Sequence, residues 1–549
     1  MKQYFIQFLL ITLFCSCRAN TIERSTSAAS IPDLQAWITQ AIENGETRIK
    51  VPKGVYRLTP VNFSHLELNG VKDVEIDFQG SELVCTERTR ALDFANCERL
   101  TIKNVSIDYD PKLYAQGRIT EYTPEYFQME VFEGYPIDDL STKSAEVYGA
   151  DTHELKPGFR TFHDIKRIEK LGGRTVRIHR KKHMDGVDDF VEVGDILLVK
   201  TKRERMDGGR FAPHAVVSSK CRDMRFENVT VYASNCFSFL GDESSNTQYY
   251  RCRVDRKKDD PTVGYPRMRS SNWDAYHSIN AEVGPTIEEC YAGYMGDDGV
   301  NIRGDYHIVA EGEGSALTVL AKHALNIRPG DPVEVVARNG ELIAVATALS
   351  VARKPDYPQD KIDAAKSKFT LILPGNVRTA WTVTLDKAVA IDDISVICAT
   401  NRVGRGFRVI NNVIGHNRSR GILTKASDGV ISGNLIEDTG LESLKLSPNI
   451  SNWLEAAYYQ NLVVRDNIIR NGKFGAHFGQ HRAAQILIGG CRSGLVFEDN
   501  TVEYSGDIAA IVSDLDGGVF QGNEFKHLEG DSNDRDPILF ERTENIQRR

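Results

Sequence analysis

An asparagine recurs at the end of a short apolar strand through much of this chain. It closes Leu100-Thr-Ile102-Lys-Asn104, Met224-Arg-Phe226-Glu-Asn228 and Val409-Ile-Asn-Asn412. It closes Val430-Ile-Ser-Gly-Asn434 and Leu462-Val-Val-Arg-Asp-Asn467 as well. Two more cases follow in Leu495-Val-Phe-Glu-Asp-Asn500 and Val519-Phe-Gln-Gly-Asn523. Asn412 and Asn434 are 22 residues apart and Asn500 and Asn523 are 23 apart, while Asn467 is 33 from both Asn434 and Asn500. A period of roughly 22 to 26 residues is that of a solenoid coil, and the longer step is one coil with a loop of about ten residues added. Asparagine suits the position because it tolerates the left-handed turn conformation and its amide can bond the same group one rung above. Cys252, which is 24 residues after Asn228, and Cys290 fall at the same ladder position. The repeat predicts an all-β fold, a right-handed parallel β-helix of the pectin-lyase-like kind.

A solenoid resolves a difficulty of size. With 549 residues the chain is too long for one simple core, but a solenoid core grows in one dimension. Twice the ladder skips: Asn104 to Asn228 is 124 residues and Cys290 to Asn412 is 122. Both excess segments read as alternating strands with turn signals, the pattern of a small antiparallel barrel. The expected organisation is therefore coils over 25–109, a first inserted β-barrel over 110–205, central coils over 206–305, a second barrel over 306–395, and final coils with a cap over 396–549. The first insertion returns near Met206-Asp-Gly-Gly-Arg210 and the second starts just after Asp298. Both are placed to wall a cleft, although oligomerisation or decoration modules would read the same way.

The N-terminus reads as a targeting segment. Lys2 precedes an apolar stretch from Tyr4 to Phe14 that ends in Cys15-Ser16-Cys17. It is the length of a signal peptide and too short to span a bilayer. Ser16-Cys17 has the form of a bacterial lipobox end, so residues 1–17 are expected to be a lipoprotein-type signal with Cys17 the lipidated residue. An exported protein anchored by lipid, facing the periplasm or the cell surface, follows. A net charge of −8 argues against a nucleic-acid partner. Eight cysteines lie beyond the signal, and none forms CxxC or a zinc-spaced His/Cys group. Neither a metal nor another cofactor is expected. Export permits disulfides, but the ladder-like positions favour buried thiols.

The chemistry concentrates in Gly296-Asp297-Asp298-Gly299-Val300-Asn301, preceded by Asn272-Trp273-Asp274. Asp274 lies 23 residues before Asp297 and 24 before Asp298, one coil, so the three side chains can stack in one cleft. Hydrolysis of a glycosidic bond with inversion needs a protonated acid on one side and a base that holds water on the other. Asp297 is the candidate general acid, with its proton retained by neighbouring carboxylates. Asp274 and Asp298 are the candidate base pair. Consecutive strand residues point to opposite faces, so a bend is required, which Gly296 and Gly299 could supply. Alone, Asp-Asp-Gly is an ordinary turn; the third aspartate one coil away is what distinguishes it. Trp273 and Trp453 are candidates to stack on a sugar face. Asn301, Arg303, Arg420, Lys425 and Glu455, with His277 and Arg418, are candidate polar contacts in the same cleft.

Trp273-Asp274 one coil before Gly296-Asp297-Asp298-Gly299-Val300-Asn301, on a β-helix with two insertions behind a bacterial signal, resembles glycoside hydrolase family 110. The resemblance extends over the mature chain and includes Asn417-Arg-Ser-Arg420-Gly-Ile-Leu-Thr-Lys425 and Trp453-Leu-Glu455. It implies an inverting exo-α-1,3-galactosidase acting on blood group B glycans, branched and fucosylated, and on linear Galα1-3Gal in some members. It also implies that Asp274, Asp297 and Asp298 are the catalytic aspartates. A polygalacturonase-like hydrolase is the alternative, with Arg303 and Lys425 holding a uronate. A calcium-dependent polysaccharide lyase and a glycan-binding adhesin are more distant readings.

Overall fold

The computed structural model describes residues 33–156, 165–181, 190–202, 212–391, 394–472, 484–528 and 536–549. The signal, Cys17 and the Met206–Arg210 return lie outside them. The body is a parallel β-helix whose three faces form one continuous 30-stranded sheet. On one face Ile49, Ile76, Ile102, Phe226, Tyr249, Ile287, Val409, Ile431, Val464, Phe497 and Phe520 stack in register, one per coil. On another, Leu66, Leu92, Val216, Phe239, Tyr276, Val300, Ile422, Leu444, Ile486, Ala510 and Ile538 do the same. These columns face inward and form one core along the axis. At the N-terminal end the helix Leu34–Glu43, capped by Asp33, turns Leu34, Ile38 and Ala41 onto the first coil. Covering the first rung removes an exposed edge.

The ladder exists, with one correction. Asn412, Asn434, Asn467, Asn500 and Asn523 are stacked, and each of the first four donates both its backbone N–H and its Nδ2 to Oδ1 of the next at 2.9–3.1 Å. Cys290 joins by donating its N–H to Asn412 Oδ1 at 2.8 Å, and Cys252 N–H points at Cys290 Sγ at 3.3 Å. Asn104 and Asn228 do not belong to this ladder. Thr230 pairs with Arg253, which sets Cys252 beside Val229 and places Asn228 one residue earlier. Both asparagines have left-handed backbone, φ 57° and 51°, and form an outer pair in which Asn228 Nδ2 donates to Asn104 Oδ1 at 3.1 Å. Two kinds of asparagine demand, a left-handed turn and a buried amide stack, sit side by side and look alike in sequence. All eight described cysteines are buried free thiols.

The first insertion is a six-stranded antiparallel sheet built from Tyr114–Tyr122, Tyr126–Val131, Leu140–Tyr148, Ile165–Gly172, Thr175–Arg180 and Ile196–Thr201. It has its own apolar core. Among the described residues its ladders run from Ile165–Gly172 at one edge to Leu140–Tyr148 at the other without closing, where the sequence suggested a barrel. The second insertion is a closed six-stranded barrel from His307–Glu313 to Ser395–Ala399. It ends at Ala399 rather than 395, because Ser395–Ala399 is fully buried and pairs with both His307–Glu313 and Pro332–Ala337.

Candidate active site

The candidate acids precede strands on one face of the β-helix. Asp274 lies just before Tyr276–Ile279, Asp297 and Asp298 just before Val300–Asp305, and Asn417–Arg420 just before Ile422–Thr424. Tyr276 pairs with Val300 and Val300 with Ile422, so these three segments are stacked on successive rungs. Asp297 and Asp298 occupy a turn rather than a strand, which lets both carboxylates face the cleft. The flanking glycines are needed for close approach and not for a left-handed φ. A Cβ on Gly296 would lie 2.6 Å from Asn272 O, and one on Gly299 would lie 2.4 Å from Ile414 Cγ2 and 2.6 Å from Gly421 O.

One carboxylate oxygen from each of Asp274, Asp297 and Asp298 lies within 4.8 Å of the other two. Asp274 and Asp298 are buried, whereas the Asp297 side chain is 18% exposed. Each has fixed partners. Asp298 Oδ1 accepts from Ser419 Oγ at 2.6 Å, from Arg420 N–H at 3.0 Å and from Arg420 Nη1 at 3.5 Å. Arg420 is held in turn by Glu442 at 3.0 Å. Arg418 Nη2 pairs with Asp297 Oδ1 at 3.1 Å while its Nε donates to Gly296 O at 2.5 Å. Asp274 Oδ2 lies 2.6 Å from His277 Nδ1. Arg303 Nε, which can only donate, is 3.3 Å from His277 Nε2. That contact makes Nε2 the acceptor and leaves the imidazole proton on Nδ1, pointed at Asp274. His277 also stacks on Phe237, with ring centroids 4.3 Å apart.

Burial and the charges of Asp297 and Asp298 push Asp274 well above the ordinary carboxylate range. Burial pushes Asp298 up too, against the pull of Arg420. Burial, then Arg303, hold His277 well below its usual value, so it is a neutral donor. Three carboxylates this close could share a divalent cation; two of them also face guanidinium groups, Asp297 that of Arg418 and Asp298 that of Arg420. Two carboxylates that accept directed hydrogen bonds beside a third open to solvent can supply an acid and a base to one substrate bond.

The structure brings Asp274, Asp297, Asp298 and Arg420 together. Trp273 stands beside them, with Lys200 Nζ of the first insertion 4.5 Å above its ring and bonded to Asn272 O at 2.8 Å. Asn301 pairs in register with His277 and is buried, its Oδ1 without a hydrogen-bond partner. Arg303, Lys425 and Glu455 are not open sugar contacts. Glu455 pairs with Arg303 at 3.2 Å and with Lys425 at 2.8 Å. The short strand Glu455–Ala456 runs antiparallel to Gly304–Asp305 and roofs them. Burial favours the neutral form of Glu455, but Lys425, Arg303 and Lys322 hold it well below the usual range, and burial pushes Lys425 down to about 8. Trp453 lies on the surface, 41% exposed, with its N–H on Asn449; the structure does not bring it to the acids. Sequence reading missed Ser419, although it lies inside the quoted Asn417–Lys425 segment. It also missed Lys200 and Glu146, which approach the site through the first insertion, and Arg269, which lies five residues before Asp274; none carries a motif.

No protein-family model matches the chain. It is similar to the curated alpha-1,3-galactosidase B of Bacteroides thetaiotaomicron, 22% identical over 429 residues that cover 73% of this chain and 64% of that protein. It is similar as well to an alpha-1,3-galactosidase B of Phocaeicola vulgatus, 24% identical over 498 residues that cover 84% of this chain and 79% of that one. The chain thus spans just under two thirds of the first relative's length. Among solved structures, the A-module of the mannuronan C-5 epimerase AlgE6 from Azotobacter vinelandii aligns over 94% of both chains at 9% identity with a TM-score of 0.41. The resemblance drawn from the aspartate motif stands: the chain is related to proteins named as α-1,3-galactosidases.

Proposed function

We propose that this chain is a glycoside hydrolase that releases terminal α-1,3-linked galactose from glycans, of blood group B type and, as a second substrate, linear Galα1-3Gal. The observation that carries the reading is the cluster of Asp274, Asp297 and Asp298 on stacked rungs in a relative of α-1,3-galactosidases. In the proposed mechanism Asp297, the acid open to solvent, gives its proton to the glycosidic oxygen as the bond to C1 breaks. Asp274 and Asp298, each oriented by fixed donors, hold a water on the opposite face and take its proton as its oxygen bonds to C1. Inversion follows. A second reading has a specific basis. One oxygen from each acid lies within 4.8 Å of the others, a closer grouping than the roughly 6.5 to 9.5 Å that leaves room for a water between the carboxyl groups of inverting enzymes. One aspartate would then be the nucleophile.

Incubation of purified protein with blood group B trisaccharide and with linear Galα1-3Gal, followed by NMR, tests all of this. Early release of β-galactose supports inversion and α-galactose supports the retaining reading. No release from either substrate would sink the galactosidase proposal and favour uronide substrates. Export and lipid anchoring at Cys17 complete the proposal, supported by the apolar segment ahead of Ser16-Cys17. Labelling with a palmitate analogue that vanishes in Cys17→Ala is the expected result.

A further inference from the structure

The first insertion reaches the acids through a second tier of charge. Glu146, on the strand Leu140–Tyr148, is fully buried. Its Oε2 is ion-paired with Arg269 and accepts from Tyr148 OH at 3.1 Å, and its Oε1 lies 3.8 Å from Arg418 Nε. Arg269 also donates to Tyr148 OH at 3.2 Å. Burial and the neighbouring Arg418 push Arg269 down to about 9. Arg418 is the residue that grips Gly296 O and Asp297 Oδ1. Two arginines therefore meet behind Gly296-Asp297, and Glu146 is the anion placed between them. The same insertion fixes the segment that leads to Asp274. Gln116 bonds Pro266 O and Met268 N–H, Tyr114 OH bonds Arg269 O, and Lys200 bonds Asn272 O, at 2.7–3.0 Å.

We propose that Glu146 is a positioning residue of the active site: it shares the charge of Arg269 and Arg418, so that Arg418 holds Asp297 through one oxygen only and leaves the other free to carry a proton. The inserted sheet is then a working part of the catalytic centre rather than a detachable module. The proposal rests on the glycosidase reading for its kinetic consequence, but not for its structural one. The titratable groups that face the arginine pair are Glu146, Tyr148 and Tyr114 from the insertion and Asp297 from the β-helix. Without Glu146, the two guanidinium groups would have Asp297 as their nearest anion, and Arg418 would be drawn onto both of its oxygens.

The test is Glu146→Gln in the full chain, with Glu146→Asp as the conservative control. In folded Glu146→Gln, kcat on an α-1,3-galactoside should fall by about tenfold to a hundredfold with KM little changed. The limb on which activity is lost at high pH should move to lower pH, and Glu146→Asp should restore part of both. A crystal structure of Glu146→Gln should show the Arg418 guanidinium turned onto both oxygens of Asp297. Unchanged kcat and pH profile would overturn the proposal, as would a loss of melting temperature with full activity in the folded fraction. If Glu146→Gln does not fold, Glu146→Gln with Arg269→Gln removes cation and anion together. That pair should fold and recover the wild-type pH limb; a pair that folds with the shifted limb retained overturns the idea. If the wild type releases no galactose, the function proposal fails while the crystal structure still decides this one, since an unmoved Arg418 would refute it.

Discussion

His277→Phe isolates the contact that orients Asp274. Phenylalanine keeps the stack on Phe237, whose ring lies 4.3 Å away at 15°, and removes both ring nitrogens. The loss is the 2.6 Å bond from Nδ1 to Asp274 Oδ2. A hydrogen bond to a charged group contributes about 1.5–3 kcal/mol, and removing the donor leaves a buried acceptor unmatched. Asp274 is 4% exposed at its side chain, so solvent cannot replace the donor. If the carboxylate acts only in the transition state, the same energy lowers kcat by about 10- to 150-fold. The pH dependence gives a second reading. Asp274 already titrates above the usual range because of burial, then Asp297 and Asp298. Base catalysis is present above its pKa and lost as pH falls through it, so removing a donor to the charged form must move that acid limb to still higher pH. The assay is kcat and kcat/KM for galactose release from pH 4 to 9, on protein whose folding is checked by circular dichroism. A folded variant with wild-type kcat and an unmoved acid limb would refute the orienting role of His277.

Asp274→Asn is expected to lose activity by about a thousandfold or more while raising the melting temperature at pH 7. A carboxyl whose folded pKa is raised favours folding below its unfolded pKa and loses that contribution as pH rises. The gain from Asn should therefore shrink toward pH 4, which scanning calorimetry at both pH values checks. Asn467→Ala removes two donations to Asn500 and Ile431 and two acceptances from Asn434. At about 1 kcal/mol each, destabilisation of about 4 kcal/mol by urea unfolding is expected. Asn467→Cys should cost less, because Cys290 fills the same position one coil before the ladder of asparagines. Lys200→Met should weaken substrate binding more than kcat, by freeing Asn272 O and the Trp273 ring; KM and kcat measured separately decide this.

What the sequence made legible follows from what repeats. A coil must return to the same rung every turn, so residue spacing reports spatial contact. Asp274 and Asp298 are 24 residues apart and stack directly because Tyr276 and Val300, two residues on from each, pair in the same register. Cys252 and Cys290 do lie on the buried ladder, although the 24-residue spacing that pointed to Cys252 was counted from Asn228, which stands one residue off it. The misplacement of Asn104 and Asn228 shows the limit: an error of one residue carries a side chain from the buried stack to the left-handed turn beside it, and both sites accept asparagine. Nothing periodic announces a residue that arrives from an insertion. Glu146 and Lys200 reach the acids from strands more than 70 residues from Asp274 in sequence, and their roles depend on how a separately packed sheet docks. Arg303, Lys425 and Glu455 mark a different limit. Their sequence positions close to the acid rungs fit a cleft, and only the roof laid by Glu455–Ala456 on Gly304–Asp305 turns them into a buried network. That network still serves the site, because Arg303 fixes the proton of His277 and His277 faces Asp274. The candidate sugar contacts thus become the support for a candidate base, one step further from the substrate than their sequence positions suggest.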